Sequence, residues 1–299
     1  MTDIARLKTI AAQVRRDIVR MTNNAKSGHP GGSLGCTEFM VALYYQVLRL
    51  KTERALHTPG NGQPTTDNGQ PVFDMNGTGE DIFFLSNGHI SPVWYSVLAR
   101  RGYFDTKELG TFRKIDSRLQ GHPATKEGLP GVRVASGSLG QGMSVAIGAA
   151  LTKKLNGDDH LVYSLHGDGE MQEGQIWEAA RFAVHHKVDN LISTVDRNGQ
   201  QIDGPTEQVM AIGDLGAEFR AFGWDVMEMN GNVMEEVIES LAEAKSRTGK
   251  GKPVAIVMKS IMGFGVDYME NDYRWHGVAP NDEELERALA QLPETIGDY

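Results

Sequence analysis

The chain has 299 residues, 40% of them hydrophobic and 23% charged, values ordinary for one large globular α/β core and unlike those of a disordered or fibrous protein. A formal net charge of −9 and a pI near 5.5 argue against a nucleic-acid-binding or anionic-membrane surface, and a phosphorylated substrate would need locally placed cations. The single cysteine, Cys36, excludes an internal disulfide and fits a reducing compartment; in Gly35-Cys36-Thr37-Glu38 it reads as a packed residue sooner than as a nucleophile. Charges are spread through the N-terminus and no apolar run approaches ~18 residues, so the expectation is a soluble, cytoplasmic protein.

In chain order, Ile4, Leu7, Ala11, Val14, Ile18 and Met21 place one apolar stripe on a first helix that ends near Asn23-Asn24. A glycine-rich turn holding His29 follows, then a second helix carrying Phe39, Leu43, Val47 and Leu50. Residues 58–79 are rich in Pro, Gly, Asn, Gln and Thr, with three Asn-Gly turns, and read as a surface loop or hairpin. A buried strand at 81–85 leads into Ser86-Asn87-Gly88-His89. Residues 131–142 form a glycine-rich loop that opens a small-residue helix at 143–151. A strand at 161–165, a helix with Ile176, Ala179, Ala180 and Ala183 on its inner face, and a strand at 191–195 come next. Helix 214–222, strand 225–229, helix 234–246 and strand 254–259 repeat the alternation. Such a pattern predicts an α/β, doubly wound, mainly parallel sheet with helices on both faces, in one domain spanning 1–299 with an insertion at about 58–79.

The chemistry concentrates at His166-Gly167-Asp168-Gly169-Glu170 and, thirty positions beyond Asp168, at Asn198 in Asp196-Arg197-Asn198-Gly199. An apolar strand delivers an Asp into a glycine-lined turn, a helix follows, and a second strand delivers an Asn beside it. Mg²⁺ prefers octahedral oxygen ligands and takes only one or two from carboxylates, so one Asp, one Asn amide oxygen and a loop carbonyl suit a metal that already holds a diphosphate. The glycines let backbone amides approach the anion, and the carboxyl ends of adjacent parallel strands are where such sheets bind ligands. The bland alternative is a βαβ unit with a polar turn.

Histidines are the second signal. Five of nine have a glycine neighbour: His29, His89, His122, His166 and His276. Backbone geometry holds such a residue with little crowding, which suits presentation into a cleft, although any one alone reads as a turn residue. His185 and His186 fall on a helix, and His57 and His160 read as surface residues.

The Asp168–Asn198 pattern resembles the thiamine diphosphate signature. Ser27-Gly28-His29-Pro30-Gly31-Gly32, Ser86-Asn87-Gly88-His89, Gly121-His122-Pro123, Gly137-Ser138-Leu139-Gly140-Gln141-Gly142, Gly167-Asp168-Gly169-Glu170-Met171-Gln172-Glu173-Gly174 and Ile261-Met262-Gly263-Phe264-Gly265 occur in the order found in transketolases, over residues 5–285 or so. The resemblance implies thiamine diphosphate and Mg²⁺ as cofactors, with Ca²⁺ or Mn²⁺ able to substitute, and ketol transfer between a ketose phosphate and an aldose phosphate, as in the pentose phosphate pathway. It assigns the metal to Asp168, Asn198 and the carbonyl of Gln200. It assigns the cofactor to His89, Gly137, Ser138, Leu139, Gly167, Gly169, Glu170, Asn198 and His276, the sugar to His29, His122 and His276, and catalysis to His29 and His276. Ser138 stands where many transketolases have proline, a departure that leaves backbone contacts possible.

His166 is not carried over and is expected to pack beneath the loop. Glu173 and Glu178 read either as an acidic first helical turn or as the carboxylate cluster at the interface between paired thiamine diphosphate domains. The glutamate that activates the aminopyrimidine and the arginines that clamp the substrate phosphate belong, in the family, to a portion following a segment like this one. The resemblance therefore implies the N-terminal subunit of a split transketolase, active with a C-terminal subunit that carries the pyrimidine-binding domain in an α2β2 heterotetramer, or else a piece of a longer chain. Nearby alternatives are a non-catalytic scaffold subunit and a thiamine diphosphate-dependent synthase acting on a different sugar. The weakest alternative is a nicotinamide or nucleoside-triphosphate binder, because neither phosphate-loop motif is present.

Overall fold

In the computed structural model, which describes residues 3–51 and 73–299, all five expected apolar strands form. They are β1 (Ile82–Leu85), β2 (Val162–Gly167) and β3 (Leu191–Arg197), then, after a two-residue hairpin of β4 (Gln200–Gln201) and β5 (Gly204–Pro205), β6 (Asp225–Asn230) and β7 (Val254–Lys259). The five long strands pair in parallel in the order β1-β2-β3-β7-β6.

Successive side chains of a strand point to opposite faces, and the sheet accordingly divides two cores. Phe83, Leu85, Tyr163, Leu165, Ile192, Ile256 and Met258 pack into one, with helices α1 (Ile4–Ala25), α3 (Thr37–Ala42), α4 (Ser91–Arg100) and α8 (Met234–Arg247) over them; α2 (Pro30–Gly35) joins α1 to α3. Ile82, Phe84, Val162, Leu191, Val195, Ala255 and Val257 face the other, under α5 (Gln141–Leu155), α6 (Gly174–His185) and α7 (Leu215–Phe222). The crossover from β2 to β3 uses α6, and that from β6 back to β7 uses α8 on the opposite face. Right-handed crossovers require this when the direction of winding reverses, and the reversal opens a crevice at the carboxyl ends of the strands.

Three local features depart from expectation. The second helix is broken: α2 and α3 are separated at Cys36 (φ −92°, ψ 9°), a π-turn at Leu43–Val47 ends α3, and Leu48 is extended. A helix α9 (Asp282–Gln291) follows the last strand, started by a capping box in which Asn281 accepts from the Glu284 N–H and Glu284 from the Asn281 N–H. Strand β1 begins at Ile82: the Asp81 N–H donates to the Arg49 carbonyl at 2.8 Å, and the Asp81 carboxylate accepts the N–H groups of Arg49 and Leu161. Of the expected insertion, residues 58–72 lie outside the described residues, as does His57. Residues 73–79 form a turn in which Asp74 accepts from the N–H groups of Asn76 and Thr78.

Candidate active site

A cleft of about 350 Å³ opens over the carboxyl ends of β2 and β3. Its floor is the glycine-lined turn after β2. Register pairs Gly167 of β2 with Asp196 of β3, so Asp168 and Asn198 leave neighbouring strands side by side.

Asp168 is 2% exposed, and its carboxylate accepts the Gly169 and Gly199 N–H groups, each at 2.7 Å. Burial, and after it the charge of Asp196, pushes its carboxyl group up to about 7. Asp196 is itself buried and raised by desolvation. It accepts from Ser260 Oγ and, at 2.8 Å, from Asn198 Nδ2. That second bond sets the amide so that Asn198 Oδ1 accepts the Gln200 N–H at 3.0 Å and has a second lone pair to offer. Two buried carboxylates and an amide oxygen make a hard, anionic donor set, and a divalent cation would relieve their mutual repulsion.

The anion cradle is tied together by Glu170. Its buried carboxylate accepts from Ser86 Oγ, from the Gly140 N–H at 2.8 Å and from the Gly167 N–H at 3.1 Å, joining the three loops that wall the cleft. These bonds and the short separation from His166 hold the group below the usual carboxylate range against the opposing effect of burial. Gly140 sits at φ +83°, a conformation that side chains with a Cβ rarely adopt, and starts α5. His166 lies fully buried under the turn, its Nε2 2.9 Å from Ser164 Oγ, as expected of a packing residue.

Opposite the cradle, four imidazoles from four separate turns converge. Ring centroids are 5.1 Å apart for His29 and His89, 5.8 Å for His29 and His276, 6.2 Å for His29 and His122, and 5.1 Å for His89 and His276. Burial, and then the neighbouring rings and Arg113, lowers His29 to about 3; burial likewise lowers His89, His122 and His276. All four are neutral imidazoles near pH 7, each with one donor and one acceptor nitrogen.

The cleft wall includes twelve of the predicted site residues: His29, His89, His122, Gly137, Leu139, Gly167, Asp168, Gly169, Glu170, Asn198, Gln200 and His276. Ser138 is exposed and lies outside the wall. Sequence reading gave no role to Asn87, Asp196 or Gln201, which also line it. Asn87 and Asp196 stand within the quoted motifs, so a signal was present; Gln201 had none. The buried atoms Asn87 Oδ1, Gln201 Nε2, His29 Nδ1 and His276 Nδ1 have no partner among the described residues, as in a wall built to face a polar ligand. The residues present thus fit both a diphosphate with its cation and a hydroxylated substrate. Elsewhere, His185 and His186 are exposed at the C-terminal end of α6, the first as its last residue and the second as its cap, and His160 pairs with Asp158. Glu173 and Glu178 are both exposed, one at the cleft mouth and one on α6.

Residues 68–293 match the family described as "Transketolase, thiamine diphosphate binding domain". The chain is 35% identical to one of the subunits of the apulose-4-phosphate transketolase of Phocaeicola vulgatus, over 94% of its own length and 92% of that protein's. It is 34% identical to "6-deoxy-6-sulfo-D-fructose transketolase subunit SqwG" of a Clostridium species over 89% and 88%. Among solved structures, transketolase from Leishmania mexicana superposes with a TM-score of 0.83 at 29% identity, covering 98% of this chain and 41% of that one. The chain therefore spans about two fifths of that transketolase, and nearly all of the subunits to which it is similar. By sequence and by fold, it belongs to the transketolase family, in its thiamine diphosphate-binding domain.

Proposed function

We propose that this chain is a single-domain, cytoplasmic subunit that binds the diphosphate of thiamine diphosphate through Mg²⁺ and forms half of the active site of a two-subunit transketolase. The observation that carries the reading is the placement of Asp168, Asn198 and Gln200 at one end of a cleft whose other end holds His29, His122 and His276. When bound, the cofactor supplies the nucleophilic carbon and electron sink for breaking and remaking a carbon–carbon bond. Asp168, Asn198 and the Gln200 carbonyl hold the metal, while the Gly169 N–H, Gly137, Ser138, Leu139 and His89 hold the cofactor. His29 and His276, being neutral, hydrogen-bond the sugar oxygens and move protons to and from them, and His122 helps to orient the chain of the sugar.

The names of the subunits to which the chain is similar over nearly their whole length support a partner chain; we infer that this partner bears the pyrimidine-binding domain, in an α2β2 assembly with sugar phosphates as substrates. Glu173, Glu178 and the exposed Phe182 on α6 are the surface we assign to self-association. Those same names favour a second reading, in which the ketose is not a common pentose phosphate. Among the described residues no helix is long and apolar enough to cross a membrane.

The test is to mix this chain with a second polypeptide carrying the pyrimidine-binding domain, add thiamine diphosphate and Mg²⁺, and follow ketol transfer across ketose and aldose phosphates, with light scattering for mass. Activity that appears only in the mixture is expected. Robust transfer by this chain alone would overturn the two-subunit reading.

A further inference from the structure

Beside the cleft lies a second, open recess of about 470 Å³, lined by Ala25, Ser27, Arg113, Gln120, Gly121 and His122. His122 lines both spaces, so the recess continues the sugar end of the cleft. Ser27 is two residues before His29, and Gly121 immediately precedes His122. Nothing in the sequence marked Arg113, a lone arginine between Phe112 and Lys114.

Arg113 is held in place by several features. Its Nη1 donates to Ser27 Oγ at 2.9 Å, and its guanidinium lies against the Phe112 ring at 5.6 Å. A Cβ built on Gly121 would stand 2.6 Å from the guanidinium carbon, so the group lies close against the Gly121 backbone. The residue adopts φ +57°, a left-handed conformation that a bulky side chain takes only where its surroundings hold it there. The loop is closed by the Arg113 N–H donating to the Leu119 carbonyl at 2.9 Å.

What Arg113 lacks is a counter-ion. Among the described residues no carboxylate pairs with it, and its buried Nε has no acceptor. The nearby arginines are different: Arg118 is forked onto Glu108 and Arg100 onto Asp17. In a chain of net charge −9, a half-buried, preoriented guanidinium without a carboxylate, opening beside a sugar-sized cleft, is a local cation of the kind a phosphorylated substrate needs.

We propose that Arg113, with Ser27, binds the phosphate monoester of the sugar substrate, so that this chain reads the substrate's charged end as well as its hydroxyls. The inference rests on the sugar-phosphate reading above. It predicts that discrimination for the phosphate is divided between the two subunits, with one contact supplied here.

The decisive measurement in the assembled enzyme is the ratio of kcat/KM for D-ribose 5-phosphate to that for D-ribose. Arg113→Gln is expected to lower this ratio on the order of 10- to 100-fold, the loss of a charge-assisted contact, with Arg113→Lys restoring part of it. An unchanged ratio in both variants would overturn the proposal. A footprint on the full-length chain decides independently of turnover. Inorganic phosphate, against chloride at equal ionic strength, is expected to protect Arg113 from phenylglyoxal while leaving the exposed Arg6 unprotected, as read by peptide mass spectrometry. Equal modification of Arg113 in both salts would overturn the phosphate site. Protection of Arg113 without any ketol transfer by the wild-type assembly would support the anion site and fail the function proposed for the cleft.

Discussion

The two ends of the cleft are built on opposite principles. At the diphosphate end, Asp168, Asp196 and Glu170 are buried carboxylates, each 1–2% exposed and each bonded to backbone or side-chain donors from its own or a neighbouring loop. At the histidine end, four imidazoles meet with their pKa values lowered, and two of them keep a buried ring nitrogen without a partner among the described residues. The first end is a rigid anionic cradle whose hydrogen bonds exist before any ligand arrives. The second is a neutral imidazole wall with ring nitrogens unpartnered among the described residues, which we propose are left for the substrate. Binding and chemistry should therefore separate on substitution.

The largest effect is expected at the cradle. Asp168→Ala should cost the assembled enzyme more than about 100-fold in Mg²⁺-dependent thiamine diphosphate affinity, since losing even an outer-shell partner of a metal ligand typically costs 10–100-fold. The far-ultraviolet circular dichroism should be unchanged, because the carboxylate is a burden on the metal-free fold. Titration calorimetry measures the first, and an unaltered affinity would remove the metal from this end.

The histidine wall should respond differently. His29→Ala and His276→Ala are each expected to lower kcat by about 10²- to 10⁴-fold, the usual contribution of a positioned acid–base group, with kcat/KM falling in step and cofactor affinity changing far less. Steady-state kinetics beside calorimetry make the comparison. Affinity falling as steeply as turnover would merge the two ends into one binding site.

The smallest effect sharpens the contrast through pH. His29 titrates near 3 in the fold against 6.5 when unfolded, so between these values the unfolded chain binds more protons; stability is complete above 6.5 and is lost as pH falls toward 3. Asp168 titrates near 7 against 3.8, so its contribution has the opposite sign, complete below 3.8 and lost as pH rises through 7. In the metal-free chain, Asp168→Asn should raise the Tm above pH 7 by about 2–5 °C and hardly change it at pH 4, and His29→Asn should soften the loss of Tm on the acid side. Thermal melts across pH 4–8 would contradict the assignment if the Asp168→Asn gain appeared on the acid side or the His29→Asn gain on the alkaline side.

These differences also decided what could be read in advance. Asp168 and Asn198 were legible because strand, glycine turn, helix and strand are contiguous, and the parallel register of β2 and β3 then has to bring the two side chains together. The histidines were each legible only as turn residues until the family's order of motifs linked them, since nothing local states that turns at 29, 89, 122 and 276 meet within about 6 Å. Glu170, assigned to the cofactor by resemblance, lines the cleft, and its oxygens accept from Ser86, Gly140 and Gly167, so that it also braces the cradle. Ser138 was included with its neighbours; it is exposed and, unlike Gly137 and Leu139, does not line the cleft.

Taken alone, the amino-acid sequence determined the alternation of strands and helices, the two-faced apolar pattern of the central sheet and the placement of Asp168 and Asn198 at the ends of neighbouring strands. Each of these is written in periodicity and spacing over a few dozen residues. The tertiary structure decided the break at Cys36, the role of Asp196 in orienting Asn198, the convergence of the imidazoles and the placement of Arg113 without a carboxylate among the described residues. The convergence of the imidazoles and the setting of Arg113 depend on contacts between segments far apart in the chain, and the bond between Asp196 and Asn198, though local, sits in burial that such contacts impose and that no local pattern encodes.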